Sequence, residues 1–376
     1  QYTIIESGLN HSFVVDINGN LYASGSNANG QLGFPQSITQ INSLTKVPLS
    51  LNYKVLKVSA GDNCSAIIVQ DILLMKKVLL VCGNNANGAF GNNLPKTNIF
   101  NFTPIVEKPD TANNLIDVDV NSFITAYADN KQIWVSGTHN YINKTGIIEN
   151  GFLPINIDPN PDVYFNSINY LNPLKIEVGT NNLFGFVVGL GLDIDNQIVW
   201  FTGLTSLRGW GFAYDISCYE NRIVVITASQ DLYFDHAIYL YNFSSSEVPQ
   251  YDFSAGLASD LNVGENFLKV SVGKFGYLAL SENLFYPYGM NDYGQLGYVQ
   301  SISSSFYINN RDGIPSGVVL PNMSVKGISD IAAGGDQSII IASNITPSTY
   351  SFTITKPNSY PNIENLTSYP ITQIAG

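Results

Sequence analysis

The stretch "ASGSNANGQLGF", residues 23–34, carries Gly25, Gly30 and Gly33 with Asn27 and Asn29 between them. Gly25 and Gly30 are spaced as in a phosphate-binding loop. Such a loop needs Lys and then Ser or Thr after its last glycine. Gln31 and Leu32 stand there instead, so nothing would reach the outer phosphates. The alternative is a turn between strands, and recurrence favours it. "CGNNANGAFG" (82–91) and "YGMNDYGQLG" (288–297) repeat the spacing, and "TGLTSLRGWG" (202–211) is a looser copy. A loop used this often is architecture.

A second element precedes each loop. In the first copy it is "ESGLNHSFVV" (6–15), then "DINGN" (16–20), then "LYASG" (21–25). Asn18-Gly19 between two apolar runs is a strong hairpin signal. The element recurs at "SAGDNCSAIIV" (59–69), "DVNSFITAY" (119–127), "EVGTNNLFGFVV" (177–188), "SCYENRIVVI" (217–226), "SVGKFGYLAL" (271–280) and "AAGGDQSIII" (332–341). Anchored on Gly8, Gly61, Val120, Gly179, Cys218, Gly273 and Gly334, the copies lie about 40 to 60 residues apart. That period suits one four-stranded propeller blade per copy. A large side chain recurs three residues before the end of the third strand, at Tyr22, Leu80, Trp134, Trp200, Tyr239 and Tyr286. One ring per blade is expected to fill the space between sheets, with Trp134 and Trp200 buried.

The pattern Gly-x-x-His-Ser, hairpin, aromatic strand, Gly-x-Asn-x-x-Gly-Gln-Leu-Gly resembles the repeat of the regulator of chromosome condensation family. Gly8, His11, Ser12, Gly25, Asn27, Gly30, Gln31, Leu32 and Gly33 match it in the first copy, and Gly289, Asn291, Gly294, Gln295, Leu296 and Gly297 in the sixth. The resemblance spans about residues 1–344 and is weak in copies three and five. It implies an all-β, seven-bladed β-propeller over residues 1–356, and the alternating stretch "TYSFTIT" (349–355) is expected to complete its last blade. An extended, Pro-containing tail follows at 357–376.

Charge bounds the function. Acidic residues outnumber basic ones, 29 to 17, and the net charge is −12. A nucleic-acid partner needs a basic patch. Arg208, Arg222 and Arg311 are scattered and form none, so no nucleic-acid partner is expected. The apolar run 66–82 is broken by Asp71, Lys76 and Lys77, so no membrane span is predicted. Eight asparagines precede x-Ser/Thr, only slightly more than this composition supplies by chance: Asn10, Asn63, Asn101, Asn143, Asn242, Asn322, Asn344 and Asn365. Asn10 and Asn63 sit within the repeat motif; Asn101, Asn143, Asn242, Asn322 and Asn344 are expected in loops or at strand ends. With a first residue that is not Met, little charge and few lysines, they make a secreted, N-glycosylated protein the expectation. Cys64 and Cys82 come near enough for a disulfide if Cys82 lies opposite Ala66; buried free thiols are the other reading, and Cys218 is left over.

Chemistry is sparse. His11, His139 and His236 fall in different copies and form no metal pair, and His11 is assigned a structural hydrogen bond. "DIDNQ" (193–197) lacks the glycine and the glutamate of a calcium loop and reads as a hairpin turn. No catalytic, cofactor or metal residues are therefore assigned. The leading expectation is a non-enzymatic interaction or structural module with a protein partner or itself. A guanine nucleotide exchange factor for a small GTPase, which the resemblance implies, and a carbohydrate-binding propeller are the alternatives. The tail is nearly uncharged and carries Tyr360, Tyr369, Ile371 and Ile374, which would dock it onto another copy and build a filament.

Overall fold

A computed structural model of the chain describes residues 2–91, 94–105, 115–129, 133–137, 149–154, 173–181, 184–191, 198–201, 213–219, 222–228, 236–242, 267–274, 276–281, 285–289, 328–335 and 337–342. The strands of the described residues form seven antiparallel sheets in chain order. The first holds β1 (Tyr2–Ser7), β2 (His11–Asp16), β3 (Leu21–Ser26) and β4 (Gln40–Lys46). The second holds β5 (Tyr53–Ala60), β6 (Cys64–Asp71), β7 (Lys76–Gly83) and β8 (Ile99–Pro104). The third holds β9 (Asp117–Val120), β10 (Ile124–Ala128), β11 (Ile133–Gly137) and β12 (Glu149–Pro154). Then follow β13 (Pro173–Asn181), β14 (Phe184–Gly191) and β15 (Ile198–Phe201); β16 (Ala213–Tyr219), β17 (Arg222–Ala228) and β18 (His236–Asn242); β19 (Phe267–Val272), β20 (Gly276–Ser281) and β21 (Phe285–Gly289); and β22 (Ile328–Ala333) with β23 (Ser338–Ala342).

The first strands touch in cyclic order, β1 to β5, β9, β13, β16, β19, β22 and back to β1. The sheets are thus the blades of a closed β-propeller. Apolar side chains of β2, β3, β6 and β7 fill the space between the first two blades, among them Phe13, Leu21, Ile67 and Leu80. Trp134 packs in the next interblade core with Tyr127, Phe90 and Leu79. Its Nε1 donates to Asp129 at 2.9 Å, so the indole loses no hydrogen bond on burial. Tyr22 differs from this pattern: it is only half-buried and reaches Asp16. The Trp200 side chain, the 349–355 strand and the 357–376 tail lie outside the described residues.

The glycine loops are turns. Gly25, Gly30 and Gly33 have φ of 108°, 88° and 74°, and Gly83, Gly88 and Gly91 repeat this at 105°, 71° and 84°. The motif asparagine is the staple of each loop. Buried Asn27 accepts from the Leu32 N–H and donates to the Phe34 and Ile38 carbonyls. Asn85 likewise accepts from Phe90 and donates to Pro95. The anchor glycine of the first hairpin has a separate cause. At Gly8, Gly61, Gly273 and Gly334 the space of a Cβ is filled by a backbone carbonyl of the next blade. In the third and fifth copies the equivalent residues are Asn121 and Tyr219, one place later than the sequence anchors Val120 and Cys218.

Two outcomes follow. Gly61→Ala, whose Cβ would stand 2.5 Å from the Val120 carbonyl oxygen, is expected to cost about 1–3 kcal/mol by forcing two blades apart. Trp134→Ala is expected to cost about 3–5 kcal/mol. Denaturant titration of each variant measures both.

Candidate functional site: the central channel

The first strands line a central channel that encloses a cavity of about 310 Å³. On six of them the ladder to the second strand skips a residue, just before Ile4, Lys57, Lys175, Asp215, Lys269 and Asp330. Such a bulge re-aims the side chain that follows it. The third blade enters directly at Asp117. Around the ring this position therefore reads Ile4, Lys57, Asp117, Lys175, Asp215, Lys269, Asp330. Lysine and aspartate alternate through six blades. Seven is odd, so strict alternation cannot close, and the first blade holds the uncharged Ile4.

Each lysine meets the aspartate of the next blade. Lys57 stands 3.6 Å from Asp117, Lys175 stands 2.8 Å from Asp215, and Lys269 is paired with Asp330. The other oxygen of each aspartate then accepts a backbone N–H from the blade beyond: Asp117 from Ile176 at 2.9 Å, Asp215 from Val270 at 3.0 Å, Asp330 from Ile5 at 3.3 Å. The last of these joins the end of the ring to its beginning. Two residues further along, the ring reads Glu6, Ser59, Asp119, Glu177, Ser217, Ser271, Ala332. Ser59, Ser217 and Ser271 accept the N–H of Val120, Val272 and Ala333, and Asp119 accepts that of Val178.

This second ring is acid-rich. Burial, then the charge of Glu177, pushes the Glu6 carboxyl up to about 8. Glu6 keeps part of its surface, but that surface opens into the channel rather than bulk solvent. Asp119 and Glu177 are also raised, by burial first; Lys175 pulls Glu177 down at 3.0 Å without cancelling it. Burial disfavours the Lys175 ammonium, but Asp215 and Glu177 outweigh it and hold it well above its ordinary value.

The sequence-predicted residues lie elsewhere. His11 is buried; its Nε2 donates to Ser65 Oγ at 2.8 Å, and Ser65 donates to the Gln31 carbonyl at 2.7 Å. Burial pushes its pKa down to about 3, so it is neutral. Cys64 and Cys82 are buried free thiols, and burial raises both. Cys82 lies opposite Ser65, not Ala66, so the two thiols point to opposite faces of the sheet. Asn10 is exposed, Asn63 accepts a hydrogen bond from Asn29, and Asn101 stands exposed inside β8 rather than in a loop. Asn242 ends β18. The side chains of Asn242, Cys218 and His236, and all of His139, Asn143, 193–197, Asn322, Asn344 and Asn365, lie outside the described residues. Among the described residues no group of three His, Cys, Asp or Glu is placed to hold a metal.

The channel sets a pH dependence. Glu6 titrates higher in the fold than its ordinary 4.5. Its favourable contribution is complete below 4.5 and is lost as pH rises through about 8. Stability is expected to fall from pH 5 to pH 8, at no more than ~1.4 kcal/mol per pH unit for this proton. Glu6→Gln should flatten that slope in melts taken across the range; an unchanged slope would place the titration elsewhere.

The repeats have known counterparts. Two family models, both described as regulator of chromosome condensation (RCC1) repeat, match residues 18–68 and 3–31. No curated protein sequence matches the chain. Among solved structures, human WBSCR16 is 16% identical with a TM-score of 0.63, over 91% of this chain and 87% of that one. Prp20p of Saccharomyces cerevisiae, described with its binding to Gsp1p and histones, is 15% identical with a TM-score of 0.60, over 90% and 82%. Yeast Prp20 bound to Kap60 gives 15% and 0.58, over 90% and 79%. The chain carries regulator of chromosome condensation repeats at its N-terminal end and folds as a β-propeller of that type.

Proposed function

We propose that the chain is a non-enzymatic protein-interaction module, secreted and N-glycosylated. The observation that carries the reading is how the channel spends its polar groups. Asp117, Asp119, Asp215 and Asp330 each accept a backbone N–H of the following blade. Four of the channel carboxylates are thus committed to holding the ring, which supports recognition at the rims. Prp20p, of the same fold, is described as binding Gsp1p and histones, which are protein contacts. The exposed sequon asparagines Asn10 and Asn101 support glycosylation. The apolar groups of the 357–376 tail support self-association as the simplest contact.

A second reading is a nucleotide exchange factor for a small GTPase, favoured by the likeness to Prp20p across 90% of the chain. One set of measurements separates the two. Protein from its source is expected to lose mass on enzymatic glycan removal and to leave GDP release from small GTPases unaccelerated. Bare chain mass, 41.0 kDa, together with accelerated release, would replace the first reading by the second. Truncation after Pro357 is expected to convert any oligomer to monomer on sizing.

A further inference from the structure

The turn between β6 and β7 is built from the wrong residues for water. Ile72, Leu73, Leu74 and Met75 stand there in succession, 42, 71, 63 and 77% exposed. The equivalent turn of the first blade uses Asn18 and Gly19. The apolar turn is nonetheless held in shape. The Asp71 carboxylate accepts the N–H groups of Leu73 and Leu74 at 2.9 and 3.0 Å. Met75 takes φ of 51°, the one positive φ outside glycine among the described residues.

The tip does not stand alone. Asn52 O accepts the Ile72 N–H, and Gly19 O accepts the Val55 N–H, both at 2.9 Å. These bonds tie three neighbouring turns into one rim and add Leu51, 92% exposed, and Ile17, 59% exposed, to the apolar surface. The rim lies on the face opposite the glycine loops, because β2, β4 and β6 all end there. Its charge runs against that of the whole chain. The three turns hold Lys46, Lys54 and Lys76 against Asp16 and Asp71 in a protein of net charge −12. Lys46, Lys54 and Lys76 are exposed on this rim, while Asp16 is half-buried and Asp71 is buried, each tied to its own turn.

We propose that this rim docks onto an anionic lipid surface, the Ile72–Met75 tip entering the acyl boundary while Lys46, Lys54 and Lys76 meet the headgroups. Protein hot spots are rich in Trp, Tyr and Arg, and the tip has none of these. An exposed aliphatic turn on a rim that carries exposed lysines has instead the make-up of a shallow membrane anchor. An acidic protein is repelled by such a surface except where it is locally basic. The inference goes beyond the interaction-module reading and does not depend on it.

The test is sedimentation of the full chain with phosphatidylcholine vesicles, with and without phosphatidylserine. The expected result is binding to the mixed vesicles about tenfold above that to phosphatidylcholine alone, lost at high salt. A Leu73→Ser, Leu74→Ser variant should bind at least about tenfold more weakly, and Lys54→Gln, Lys76→Gln should lose the preference for phosphatidylserine. Both pairs are exposed, so thermal melts matching the parent protein are the folding control. A protein that stays in the supernatant, or serine variants that still sediment, overturns the proposal. So does a dimer on sizing that the serine variants break, since the occupant would then be a second copy.

Discussion

Five of the seven junctions in this ring share one kind of contact: a side-chain acceptor on a first strand taking a backbone N–H of the next blade. Sheets that meet only through apolar faces can slide, because dispersion has no direction. A hydrogen bond to a carboxylate has direction and is worth about 1.5–3 kcal/mol. Aspartate or serine supplies it at the junctions where Ile5, Val120, Ile176, Val178, Val270, Val272 and Ala333 donate. The register between blades is thereby set at the axis, and the cores further out pack onto it.

Placing aspartates at an axis brings like charges together, which the alternation with lysine answers. Lys57, Lys175 and Lys269 each neutralise the aspartate ahead. Burying such pairs adds little stability against an apolar isostere, yet breaking one leaves an uncompensated charge. The arrangement therefore fixes register more than it strengthens the fold. The second ring lacks this balance. Glu6, Asp119 and Glu177 share the channel with Lys175; burial raises all three, and the charge of Glu177 adds to the rise of Glu6 and Asp119. At neutral pH Glu6 holds its proton, which links the ring's stability to acidity.

The blade architecture was legible because its signals are local. Asn18-Gly19, the spaced glycines and the alternating apolar runs each act within a few residues, and all recur as β-structure. The charge ring was not, although its residues stand at one position of every first strand. Anchoring copies three and five on Val120 and Cys218 rather than Asn121 and Tyr219 shifted Asp117 and Asp215 out of line with Asp330. The alternation itself also defeats a search for identity, since neighbouring copies carry opposite charge. The Cys82 register failed for a related reason: a one-residue slip moves a side chain to the other face of its sheet.

The two rims follow from the same geometry and differ in chemistry. On the glycine-loop side, polar groups bond across blades: Asn29 donates to Asn63, Asn98 to Asn29, and Asn87 to the Ser122 carbonyl. That rim is knitted together by its own side chains. On the hairpin side the neighbouring turns are tied to one another by backbone bonds, Gly19 to Val55 and Asn52 to Ile72, while Asp16 and Asp71 each hold their own turn. The side chains at the tips are free to be chosen for something other than the fold. Once an aspartate at the strand end holds the turn, its tip can carry Asn-Gly in one blade and Leu-Leu-Met in the next. Variation between blades is therefore informative on this rim in a way it is not at the hub, where each residue is dictated by its neighbour.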